Sequence, residues 1–217
     1  MSDDSPINPY FDSRDDAGDG DPDETSATLR RYHQLLWSKP LPNGDPFDLV
    51  TSRKDCYLFH ESKRGTFFLS SDTVVPTFRS WIRMQPIIDQ IDSRELDQFQ
   101  VLNHTMAGAL IFPGNRRPGT LTINGARGMN ARIADRLDLT VEAIRRHYFD
   151  EPSPLSKTLT NYADFFELFE SFDGYVNHFL LQDLLEDDNS SVDLFTPFDD
   201  FGVTRAVPES VEAYLAY

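Results

Sequence analysis

From Tyr162 to Leu180 the chain places Tyr162, Phe165, Phe166, Phe169, Phe172, Val176, Phe179 and Leu180 mostly three or four residues apart, the spacing of a helical face. A helix lying free in water does not carry so many aromatic rings, so the last third must be helical and packed against the rest of the chain. Asp173-Gly174 divides the run into two helices, one marked by Tyr162 to Phe172, the other by Val176, Phe179, Leu180 and Leu184. An earlier helix follows Thr140, with Val141, Ile144 and Tyr148 at helical spacing, and Pro152-Ser153-Pro154 closes it. His178 lies among apolar neighbours and reads as a core histidine.

Upstream the pattern changes. A first helix starts near Thr25 or Ser26, with Leu29, Tyr32 and Leu36 as its stripe, and ends before Pro40 and the turn Pro42-Asn43-Gly44-Asp45-Pro46. Asp55 to His60 and Thr66 to Leu69 read as strands about Lys63-Arg64-Gly65. Phe78 to Ile91 reads as helical or irregular. Met106 to Phe112 and Thr120 to Asn124 read as a second hairpin, leading through Gly125 and Gly128 into a helix capped by Asn130. Strands first and helices later predict an α+β fold: an N-terminal helix and β-hairpins forming a small antiparallel sheet, packed by a helical C-terminal third.

The 217 residues carry a net charge of −16, and its location matters more than its size. Residues 1–25 hold nine acids against Arg14, residues 183–200 hold seven acids and no base, and residues 26–182 balance 18 acids with 18 bases. The body is neutral and the two ends are acidic. Residues 1–24, rich in Asp, Ser, Gly and Pro, read as a disordered acidic arm whose removal leaves stability unchanged; residues 25–217 read as one domain. Ile7, Pro9, Tyr10 and Phe11 form the arm's single cluster able to dock. The lone Cys56 excludes an internal disulfide and a cysteine zinc site and suits a reducing compartment. The acidic start at Asp3 and Asp4 does not fit a signal peptide, and the apolar run from Met106 to Phe112 is far shorter than the ~20 residues of a membrane helix. A soluble, cytoplasmic protein without membrane contact is expected.

Chemistry is concentrated where acids are missing. Between Gln98 and Ala134 lie 37 residues without Asp or Glu, and this stretch with the helix after it carries Arg116, Arg117, Arg127, Arg132, Arg136, Arg145 and Arg146. Glycines and asparagines among these arginines suit a phosphate-bearing ligand, a nucleotide or a short RNA, with Arg127, Arg132 and Arg136 as anion contacts and Asn115 and Asn124 as hydrogen-bonding groups. Arg127, between Gly125 and Gly128, is expected on an exposed loop and unpaired. The bland alternative has the arginines capping helix ends, solvated at a hairpin tip, or paired, Arg136 with Asp138 or Asp135. A second class of function is an interaction module, antitoxin-like or regulatory, whose acidic tails engage a basic protein. A third is an enzyme with His104 or His147 as acid–base. No His spacing matches a metal site, and neither a phosphate-binding loop nor a dinucleotide fingerprint occurs.

Beginning at His104-Thr105, and through Ile111-Phe112-Pro113-Gly114-Asn115-Arg116, Thr122-Ile123-Asn124-Gly125-Ala126-Arg127-Gly128, Asp135-Arg136-Leu137-Asp138-Leu139-Thr140, Ile144-Arg145-Arg146-His147-Tyr148 and Phe179-Leu180-Leu181-Gln182-Asp183-Leu184, the chain resembles a widespread family of uncharacterised bacterial proteins. The likeness covers residues 27–217 and departs at Met106-Ala107, where the pattern has a second apolar-Gly step. It implies no activity, cofactor or partner.

Overall fold

A computed structural model describes residues 6–51, 58–115, 118–186, 191–195, 201 and 206–216. Arg116 and Arg117, Cys56, and the first residues of the strand expected from Asp55 lie outside these. Among the described residues ten helices surround one three-stranded antiparallel sheet, an α+β architecture.

The sheet runs in the order β1 (Leu58–Ser62), β2 (Gly65–Thr73), β3 (Ala109–Pro113). The first two form the expected hairpin, with Ser62 opposite Gly65. Along β2 the alternation Phe67, Leu69, Ser71 turns one face inward, as the two-residue period of a strand requires. The third strand, buried throughout, returns after a crossover containing α3 (Gln85–Ile88) and α4 (Ser93–Asn103). No helix was expected at α4. Only Leu96 and Asn103 of its eleven residues are buried, so it lacks the apolar stripe that marks a helix; Asp92 accepting from the Arg94 N–H starts it.

The second hairpin is corrected. Thr120 to Asn124 form no strand, because the Thr122 hydroxyl accepts from the Gly125 N–H at 3.2 Å and opens α5 (Ile123–Met129). The two glycines expected in a loop lie inside that helix, and Asn130 ends it rather than beginning the next.

In the last third, α6 (Leu137–Tyr148), α7 (Ser156–Thr160), α8 (Ala163–Phe166) and α9 (Phe172–Phe179) follow. The aromatic run is interrupted sooner than its spacing suggests, at Glu170 with φ 63°, after which Ser171 caps α9. A side chain at Gly174 would collide with the Phe169 carbonyl, so the close turn between the two helices requires glycine. Phe169 then meets Phe47, Phe165 and Tyr175 edge to face, Phe165 meets Phe67 in the same way, and Phe179 lies tilted against Phe169 and Tyr175. His178 is in this core, where burial pushes its pKa down to about 4.

The N-terminal arm has contacts of its own with the body. Residues 6–25 lie on the body: the Ser13 N–H donates to the His104 carbonyl at 2.9 Å and Phe11 meets Tyr32 edge-on at 5.9 Å. A short helix, α1 (Pro22–Thr25), leads into α2 (Ala27–Trp37), and the Asp16 carboxylate caps it by accepting from the Ser26 hydroxyl and the Thr28 N–H. The Asp23 carboxylate accepts from the Thr73 N–H at 2.7 Å and its hydroxyl at 2.6 Å, fixing the arm to the end of β2. Few apolar residues are needed because the acids themselves bind the body's free donors.

Candidate functional site

Of the three arginines proposed to bind a ligand, Arg127 is the most deeply buried. It lies on α5 and is wholly inaccessible. Its Nε donates to the Thr140 hydroxyl at 2.9 Å, one Nη to the Asp135 carbonyl at 2.7 Å and the other to the Asp72 carboxylate, with Asp135 Oδ1 at 3.6 Å. The guanidinium also stands over the Phe112 ring at 5.2 Å. It therefore ties α5 to β2, β3, α6 and the loop between α5 and α6, a structural staple rather than a free loop cation. Glycines at 125 and 128 do not put it on a loop, since both are helical.

Two carboxylates from two segments stand at that guanidinium, Asp72 of β2 and Asp135, and the charge of Asp23 in the arm is close enough to act on both. Burial pushes Asp72 up to about 7, with Arg127 opposing and the charges of Asp135 and Asp23 adding to the rise. Burial raises Asp135 and Asp23 as well. Ala134 and Asp135 take φ of 53° and 65°, a left-handed turn that brings the Asp135 carboxylate beside Gly128 and its carbonyl onto Arg127.

The remaining residues are scattered. Arg136 is buried and grips the Asp138 carboxylate with two donors; Asp138 also accepts from the Leu139 and Phe195 N–H groups. Asn115 extends the β2–β3 ladder, accepting from the Phe68 N–H at 2.7 Å and donating to the Thr66 carbonyl at 2.9 Å. Asn124 donates to the Ser70 hydroxyl and the Ser71 carbonyl, while its Oδ1 is buried without a partner. His104 ends α4 with Nδ1 against the Gln100 carbonyl, and His147 packs on Phe166, where burial lowers its pKa. The two histidines have separate surroundings and no shared partner among the described residues. Arg132 alone of the three arginines is exposed; its backbone N–H donates to Asn130 Oδ1.

A second arrangement lies at the C-terminal acidic segment. Leu185 pairs antiparallel with Val192, and the Asp193 N–H donates to the Leu184 carbonyl at 2.8 Å, so residues 184–185 lie beside residues 192–193. Residues 187–190 lie outside the described residues. Asp183 and Asp193 are exposed, one from each side of this turn. Between them opens a cavity of about 250 Å³ walled by Val75, Leu137, Leu184 and Phe195. Asp138 forms its inner wall, already neutralised by Arg136. The seven acids without a base in residues 183–200 are the sequence signal for this surface; its apolar floor comes from Val75 and Leu137, more than 45 residues away in the chain, and had no local signal.

Among the described residues no group of three or more His, Cys, Asp or Glu is placed to hold a metal ion, and no helix is long and apolar enough to cross a membrane. A model of a family of unknown function (DUF6994) matches residues 7–217, so the chain belongs to that family. The match begins at residue 7, within the arm. No curated protein and no solved structure matches the chain.

Proposed function

We propose that the protein is an interaction module, regulatory or antitoxin-like and acting in the cytoplasm, that engages a basic protein partner through its C-terminal acidic turn. The observation that carries this reading is the pairing of two exposed carboxylates, Asp183 and Asp193, with an apolar cavity between them. A lysine or arginine has the matching shape: an aliphatic stem that Leu184 and Phe195 can cover, and a charged head that reaches the carboxylates at the rim. Neighbouring acids in residues 183–200 add long-range attraction that speeds encounter and favours cationic partners. A nucleotide or RNA site at the arginines is a poorer fit, because Arg127 and Arg136 are saturated by the protein's own acceptors and Asn115 and Asn124 serve the sheet.

Fluorescence anisotropy with a labelled lysine-rich peptide tests it. Binding should weaken steeply with salt, and Asp183→Asn with Asp193→Asn should weaken it about tenfold, which corresponds to ~1.4 kcal/mol. Equal affinity for the parent and the double variant would remove the reading.

A further inference from the structure

The Asp23 carboxylate of α1 accepts from the N–H and the hydroxyl of Thr73, at 2.7 and 2.6 Å, and so holds the arm to the end of β2. The residue before Thr73 is Asp72, whose carboxylate pairs with the wholly buried Arg127. The arm's anchor and this ion pair therefore share one end of the same strand. Asp135 Oδ1 stands 3.6 Å from the same guanidinium and is buried without a hydrogen-bond partner. Among the described residues the charged groups that act on Asp72 are Arg127 of α5, Asp135 in the loop before α6, and Asp23 itself. Asp135 is acted on by Arg127 and Asp23, and Asp23 by Asp21 and His104.

We propose that the N-terminal arm is a pH-sensitive latch, closed while Asp72 keeps a proton and loosened when that proton is lost between mildly acidic and mildly alkaline solution. A negative charge on Asp72 is repelled by Asp23, and the guanidinium beside it is already shared with Asp135. Asp23 cannot move away without giving up both Thr73 donors, so the repulsion is relieved by releasing the arm. Burial, with Arg127 opposing and the charges of Asp135 and Asp23 adding, raises Asp72 to about 7, and burial raises Asp23 as well. With the arm released, Asp72 loses the charge of Asp23 and Asp23 regains water, so both hold their protons less tightly. Docking therefore takes up protons, and it weakens as pH rises through 7. A positive charge on His104 attracts both Asp12 and Asp23, and its loss at higher pH acts in the same sense. The latch is independent of the acidic turn, and neither depends on the other.

Hydrogen–deuterium exchange of the full chain from about pH 5.5 to about pH 8, with labelling times rescaled for the intrinsic rate, tests the latch. Protection of residues 6–25 and of the peptide spanning Thr73 should fall about tenfold in the parent, the change that one pK unit of coupling gives. In Asp72→Asn, whose side chain still accepts from Arg127 but carries no charge, the fall should be about threefold or less. Asp23→Asn keeps an acceptor for Thr73 and removes the repulsion from the arm's side. It should flatten the profile too, and it decides the matter if Asp72→Asn does not fold. Three results would overturn the proposal: protection of the arm that does not change with pH in the parent, the parent's full fall retained in either variant, or arm amides as protected as those of α9, which would mean that the arm opens only with the whole fold.

Discussion

The two acidic ends of the chain are alike in composition and opposite in use. In the N-terminal arm the carboxylates bind the protein's own donors: Asp12 holds Arg14, Asp16 caps α2, Asp21 starts α1, and Asp23 joins Thr73. At the C-terminal end Asp183 and Asp193 face outward beside an apolar cavity. Charge density alone therefore says little about partners. What decides is whether unsatisfied backbone and hydroxyl donors lie within reach, as at the starts of the two N-terminal helices and at the end of β2. An acid that meets such a donor becomes part of the fold; one that does not is available to another molecule.

The sharpest way to break this contrast is at Arg127, which pairs with the carboxylates of Asp72 and Asp135. Arg127→Ala should cost about 3–5 kcal/mol in denaturant unfolding, because it strands Asp72 and Asp135 without a counter-charge. A cost under about 0.5 kcal/mol would mean that the guanidinium is as replaceable as a surface arginine. Deleting residues 1–20 removes the Phe11–Tyr32 contact, the Ser13–His104 hydrogen bond and the Asp16 cap. A loss of about 2 kcal/mol, or roughly 5 °C in thermal midpoint, is expected, in place of the unchanged stability that the arm's composition suggests.

A smaller effect follows from Asp72. Its folded-state pKa, raised to about 7, lies above the unfolded value, so the folded protein binds more protons than the unfolded chain between the two. Its contribution therefore favours folding at low pH and is lost as pH rises toward 7. The buried His33 and His178, lowered to about 3 and about 4, act in the opposite direction below their ordinary value. Both are common to parent and variant, so the stability difference between the parent and Asp72→Asn isolates the carboxyl. That difference should shift in the parent's favour by on the order of 1–2 kcal/mol from pH 8 to pH 5. A flat difference would contradict the assignment. The smallest effect belongs to the other end: Asp183→Asn with Asp193→Asn should leave stability within about 0.5 kcal/mol.

Much of the helical third could be read from spacing, since Phe165, Phe166, Phe169 and Phe179 are core residues on helices, and the first β-hairpin announced itself through Lys63-Arg64-Gly65. The failures share a cause. Thr122 reads as a strand residue until its hydroxyl is seen to cap α5, and Arg127 reads as an exposed loop cation because Asp72, its nearest counter-charge, is 55 residues away. A 37-residue stretch without acids looked like an open anion site because acids from elsewhere in the chain were not visible beside it. Pairing across the fold, not composition within a segment, determined which charges were available.

Hydrogen–deuterium exchange with and without a saturating lysine-rich peptide compares the two acidic ends in one experiment. Protection should appear at residues 183–195 and at the cavity walls near Val75 and Leu137, with residues 6–25 unchanged. Protection confined to the N-terminal arm, or none anywhere at saturation, would contradict the assignment of the acidic turn as the surface that meets a partner.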